Sequence, residues 1–133
     1  MANIVVIGSS NTDMVVKTSR FPLPGETIMG GMFFMFAGGK GANQAVAAAR
    51  MGGNVSFVAK VGKDIFGEQA IKGFENEGID TTHISVHESS ASGVALITVD
   101  AKARMKLWLH RGQTICLTKR ILEMLKQQLQ RLK

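Results

Sequence analysis

The residues best suited to chemistry on a polar ligand fall in two short stretches. Asn11 and Asp13 come just after the apolar run of residues 4–7, and residues 38–43 pack three glycines, Lys40 and Asn43 into six positions. Asp13 can accept hydrogen bonds from hydroxyls, Asn11 can donate and accept, and Lys40 and Asn43 add donors. Glycines at 38, 39 and 41 permit positive φ and let a ligand approach the backbone, and the N–H groups at the start of a following helix point outward. Acceptors beside donors suit a polyhydroxylated ligand. A bare Gly38-Gly39 pair is also compatible with a plain turn between strand and helix. The presence of Asn11 and Asp13 at the carboxyl end of a strand favours a site.

Other readings of the glycine loop fail on spacing. A Walker loop needs Ser or Thr after Gly-Lys, yet Gly41 follows Lys40, and Phe34 stands where the leading glycine belongs. A dinucleotide fingerprint needs a glycine where Gln44 stands. His83, His87 and His110 have no Cys or His at metal-ligand spacing and read as surface or packing residues.

The elements that must position these residues alternate in an orderly way. The run NIVVIG is apolar, β-branched and closed by glycine, the pattern of a strand buried on both faces in a parallel sheet. A second extended run follows in GSSNTDMVVKT, then the Pro/Gly turn FPLPGET, then TIMGGMFFMFAGG. Residues 42–50 are strong helix formers that stop at Gly52-Gly53. NVSFVAKVG reads as a strand. Asp64 caps a second helix, with Ile65, Phe66, Ala70, Ile71 and Phe74 at helical spacing and an end at Gly78. ISVHESSASGVALITVD supplies two more strands. This alternation predicts an α/β fold with right-handed crossovers and a ligand at the carboxyl ends of the strands.

Composition bounds the rest. The chain has 133 residues, 45% apolar and 20% charged, enough for one ordinary domain. It has no basic leader or cleavage site, no apolar run of membrane-spanning length, and a single cysteine, Cys116. These features predict a cytoplasmic protein in a reducing compartment. The net charge of +6 is unevenly spread: residues 1–102 carry 8 Lys and Arg against 9 acids, while residues 103–133 carry 8 against the lone Glu123. All the basicity sits in the last quarter.

The motifs GSSNTD, FPLPGET, GGKGANQAVAAARMG, VGKDIFGEQ and SGVALITVD, in this order and spacing, resemble the amino-terminal half of the ribokinase/phosphofructokinase-B family of carbohydrate kinases over residues 4–102. The resemblance implies an incomplete doubly wound parallel sheet of the ribokinase-like, Rossmann-type α/β class, with part of a β-sheet lid over the sugar. It implies that Asn11, Thr12, Asp13, Gly39, Lys40, Gly41, Ala42 and Asn43 meet the hydroxyls of ribose or a related sugar. The regions 13–18, 27–36 and 93–99 would be lid strands. It further implies homodimerisation through the lid, with no specific nucleic-acid or membrane partner. ATP, magnesium and a monovalent cation serve the full-length family, whose second half carries the GAGD-type motif with the catalytic aspartate and the nucleotide pocket. That motif does not occur in these 133 residues. Phosphoryl transfer needs nucleotide, metal and nucleophile placed together, so the expectation is a kinase-like chain inactive by itself that binds those cofactors poorly.

The resemblance stops at Lys102. Permitted codons for residues 103–115, restarted one base earlier on a G, read GENEIVVASGANN, the strand the family carries next. Residues 127–133 shift likewise to AAITEAE. Residues 103–133 are therefore expected to be an out-of-frame translation, with loose pairing for a few residues at most. The rival reading is a genuine basic amphipathic tail, with Ile121, Leu122, Leu125, Leu129 and Leu132 at helical spacing, which would make the chain an interaction protein. A third possibility is a sugar-binding module without catalysis.

Overall fold

The β-branched run at the start of the chain forms β1 (Asn3–Ile7), which lies parallel to β4 (Asn54–Gly62), and β4 in turn lies parallel to β5 (Ile84–His87). This is a computed structural model, and it describes residues 2–112 together with Glu123 and Lys126. Two helices make the crossovers of this three-stranded sheet: α1 (Lys40–Arg50) between β1 and β4, and α2 (Ile65–Asn76) between β4 and β5. The alanine-rich sequence of α1 suits a helix that must lie close to strands. Its buried residues Ala42 and Ala45 pack with Val55, Phe57 and Ala59 of β4, and with Phe74 of α2 and Ile79. Phe57 is fully buried and meets the Phe74 ring edge-on, with centroids 5.1 Å apart. Burying such a ring contributes about 1.5–3 kcal/mol, so this pair is a main anchor of α2 on the sheet.

A second, four-stranded sheet has the order β3-β2-β6-β7. Its members are β2 (Asn11–Lys17), β3 (Met32–Gly38), β6 (Gly93–Val99) and β7 (Met105–His110). β2 runs parallel to β6, and the outer pairs β2–β3 and β6–β7 are antiparallel. Both faces of this sheet carry exposed apolar side chains: Val16, Met35, Leu96 and Trp108 on one, Phe36, Leu107 and Leu109 on the other.

The expected elements are present, with three shifts. α1 begins at Lys40 rather than Ala42, so Lys40 and Gly41 belong to its first turn. The lid strand expected over 27–36 is β3, and it starts only at Met32, because Gly30 and Gly31 take positive φ. The loop before it is pinned instead by Glu26, which accepts from the Leu23 amide and pairs with both terminal nitrogens of Arg20. The third shift concerns the tail. In place of loose pairing, β7 is matched to β6 along all six residues, from Val99↔Met105 to Val94↔His110. Asp100 anchors its start by accepting from the Arg104 amide (2.9 Å) and from Arg104 Nε (2.8 Å). Every residue of β7 is nevertheless exposed, so backbone hydrogen bonds rather than burial hold it. The expected amphipathic helix and Cys116 lie outside the described residues, except for Glu123 and Lys126, which are helical.

Candidate functional site

Two backbone contacts bring the predicted stretches together. Gly8, just after β1, lies so close to Gly41 in the first turn of α1 that a Cβ on Gly41 would sit 2.6 Å from the Gly8 Cα. The Ala42 amide donates to the Ser9 carbonyl over 3.1 Å. The start of α1 is therefore held against the loop that leads into β2. Gly39, its N-cap, has φ 96°, a conformation glycine adopts without cost, and no side chain among the described residues caps the helix. The four-stranded sheet adds the other wall, since β2 opens at Asn11 directly beside Gly38 at the end of β3 and Gly93 at the start of β6.

Strand alternation then sorts the side chains. Asn11 and Asp13 share one face of the four-stranded sheet, and Thr12 turns to the opposite one, paired with Ala37 and Val94. On the face of Asn11 and Asp13, Phe36 and Ala95 flank Asp13, and the Phe36 ring stacks on that of Phe34 at 5.9 Å. The arrangement is a polar end bordered by an aromatic wall. Lys40 and Asn43 are exposed on the first turn of α1, whereas Gly41 and Ala42 are buried and contribute backbone only.

Burial raises the pKa of Asp13 above its ordinary 3.8. Among the described residues no hydrogen bond or ion pair engages its carboxylate, so nothing offsets the loss of solvent. The contrast with Asp64 is informative. Burial works against the Asp64 carboxylate too, but donors from Ser92, Gly67 and Phe66 outweigh it and hold the group below 3.8. Asp64 is satisfied by the fold and Asp13 is not. A partly buried acceptor with open capacity, on the same sheet face as Asn11, can receive hydroxyl donors.

Sequence reasoning missed Gly93, whose absent Cβ leaves room for the Asn11 amide, and the Asp64–Ser92 junction that fixes where β6 begins. The signal for Gly93 was its place at the head of SGVALITVD, read only as the start of a strand.

The fold and this site define the class of protein. The chain belongs to the pfkB family of carbohydrate kinases, whose family model matches residues 1–133. Among curated relatives, the ribokinase of Haemophilus influenzae is 42% identical over 109 residues, which cover 82% of this chain and 36% of that protein. The deoxyribokinase of Salmonella typhi is 41% identical over 110 residues, 83% of this chain and 36% of the relative. The solved structure of Arabidopsis thaliana ribokinase, complexed with ribose and ATP, matches with a TM-score of 0.81 at 28% identity, over 92% of this chain and 42% of the other. The ribokinase-like α/β fold read from the sequence is thus the fold found, and the chain spans about 36% of the length of the curated relatives it matches. Among the described residues no helix is long and apolar enough to cross a membrane.

Proposed function

We propose that this chain supplies the sugar-holding part of a carbohydrate kinase site for ribose or a close relative. The observation that carries the reading is the open hydrogen-bonding capacity of Asp13 and Asn11 on one face of the sheet, with the Gly39 N-cap of α1 packed against the Asn11 backbone. Asp13 accepts from two sugar hydroxyls, Asn11 and Asn43 orient the ring, and the backbone of Gly39, Gly41 and Ala42 lines its approach, with Lys40 adding a donor. Thr12, on the far face, acts through the strand and not by touching the sugar. Phe36 excludes water from one side of the bound ring.

ATP is the phosphoryl donor that the family resemblance supplies, with magnesium and a monovalent cation. The residues gathered here fit the acceptor sugar and not a nucleotide: they offer one carboxylate among hydroxyl-matching groups and no Gly-Lys-Ser/Thr cradle. Incubated alone with ATP, magnesium, potassium and ribose, the 133-residue chain is expected to bind sugar without forming ribose phosphate. Calorimetric titration with ribose tests the first half and a coupled ADP assay the second. Saturable turnover from material free of host kinase would overturn the division of labour, and absent binding would overturn the site.

Two further elements of the proposal concern the margins. The apolar side chains on the four-stranded sheet within residues 1–102, with Phe33 60% exposed and Leu96 52% exposed, support pairing of two lids in a homodimer, and a chain with a single cysteine fits a reducing, cytoplasmic setting. The break in charge after Lys102, and a β7 that buries none of its side chains, support an out-of-frame origin for residues 103–133. The unit assigned to the sugar site is then residues 1–102. A stop codon soon after position 103 in the shifted frame of the coding DNA would make the basic tail a genuine part of the protein.

A further inference from the structure

Of the chain's 15 glycines, most that could not take a Cβ are hemmed in by backbone. Gly8 and Gly41 face each other, Gly62 faces the Ser90 carbonyl, and Gly67 faces the Gly62 carbonyl. Among the described residues, only at two is the nearest atom a polar side-chain atom. A Cβ on Gly38 would lie 2.4 Å from Asp13 Oδ2 and 2.5 Å from its Cγ, and a Cβ on Gly93 would lie 2.1 Å from Asn11 Oδ1. These are the two side chains that form the polar end of the site. Both glycines pair in register with the same residue, Asn11, one from each neighbouring strand.

We propose that Gly38 and Gly93 are positioning residues of the sugar site, a reading that rests on the function proposed above. By leaving their Cβ volume empty, they let the Asp13 carboxylate lie diagonally over β3 and the Asn11 amide lie flat over β6. The sugar thus meets two polar groups pressed down as a floor. With alanine at either position the side chain it displaces must stand up into the space the ring would occupy. Neither glycine has a positive φ, so the backbone accepts alanine. The atoms that must move most are the ends of flexible side chains, and the Gly112 backbone nitrogen, 3.3 Å from a Cβ on Gly93, must give only slightly. The substitutions should therefore alter the site and spare the fold, the reverse of what alanine would do at Gly41 or Gly67.

The test uses the whole chain with Gly38→Ala and Gly93→Ala, read first without sugar. Carbon-13 NMR of the Asp13 carboxyl should show its raised pKa falling back toward the ordinary carboxylate value in Gly38→Ala, as the group is pushed toward solvent. The side-chain amide signals of Asn11 should shift in Gly93→Ala, and both melting curves should stay cooperative and close to the parent's. With ribose, Gly93→Ala should weaken binding about tenfold or more, the scale of one lost hydrogen bond to a charged or well-placed polar group. In an Asn11→Ala background that loss should largely disappear, because the glycine acts through Asn11. An unmoved Asp13 titration together with unmoved Asn11 signals would overturn the proposal, as would loss of cooperative melting in both variants, which would make the glycines structural. If the parent chain binds no ribose, the sugar reading falls, and the sugar-free signals alone decide whether the glycines position these side chains.

Discussion

Asp64 joins the two sheets, and removing its side chain is the sharpest test of how this chain holds its site. The carboxylate accepts from the Gly67 amide (2.9 Å) as the N-cap of α2, and from the Ser92 amide and hydroxyl (both 2.7 Å) just before β6. The Ser92 oxygen accepts in turn from the Gly62 amide at the end of β4. Asp64→Ala removes an N-cap, worth about 1 kcal/mol. It also leaves the Ser92 amide and hydroxyl without their acceptor in a residue only 4% exposed, at about 1–3 kcal/mol for each group that no water reaches. A loss of roughly 3–7 kcal/mol is expected, against the 5–15 kcal/mol typical of a domain. Asp64→Asn should lose less, because one oxygen still caps α2, but its NH2 would face the Ser92 donor. The pH dependence follows from the sign of the shift. The folded pKa lies below 3.8, so the stabilisation is fully present above 3.8 and drains away as pH falls through the folded value. Urea melts of the parent and Asp64→Ala should thus differ most near neutrality and converge in strong acid. A difference below about 0.5 kcal/mol at pH 7, the range of an ordinary surface substitution, would show that α2 and β6 are held by something else.

Asp13→Asn should make the sugar-free chain more stable at neutral pH, since it removes a partly buried carboxylate whose raised pKa costs stability as pH climbs past 3.8, and it should weaken ribose binding; a melt and a titration on one sample check both. In the parent, affinity should rise with pH through the Asp13 titration and level off above it, because hydroxyls donate to the charged form. Gly41→Ala should destabilise by roughly 1–3 kcal/mol in denaturant melts, because its Cβ would strike the Gly8 backbone and push α1 off β1. With Met29, Phe33, Leu96 and Trp108 all more than half exposed, the chain should bind hydrophobic dyes and self-associate in sedimentation; a dye-silent monomer would contradict the exposed lid faces.

The parallel strands and both helices were legible because their signals are local. NIVVIG and NVSFVAKVG are apolar runs too short and too β-branched for helices, and Asp64 announces a cap that the structure supplies. The lid strands were located through the resemblance and were less exact at the edges. Whether residues 27–31 extend or turn depends on the positive φ of Gly30 and Gly31 and on the Arg20–Glu26 pair, and neither shows in a pattern of apolar residues. The order of β7 was underestimated for a related reason. Charged residues at 104, 106 and 111 read against a strand, yet an open edge on β6 and the Asp100 anchor are enough to align six residues with no core beneath them.

What the sequence could not show about the site is which groups the fold leaves unsatisfied. Asp13 and Asp64 are the same residue type, and although Asp64 reads as a helix cap, nothing in the sequence shows that Ser92 completes its hydrogen bonds while Asp13 is left open. The difference arises from partners distant in sequence: Ser92 reaches Asp64 across 28 residues, while the residues paired with Asp13 on its face are Phe36 and Ala95. Glycine thus has two meanings here that one letter cannot separate. At Gly41 it lets two backbones touch, so the fold depends on it. At Gly38 and Gly93 it gives room to a neighbour's polar end, so the fold could do without it. A carboxylate that the fold partly buries and leaves unpaired, with glycines on both sides making room for it and for Asn11, is costly to the folded chain unless a ligand completes its hydrogen bonds.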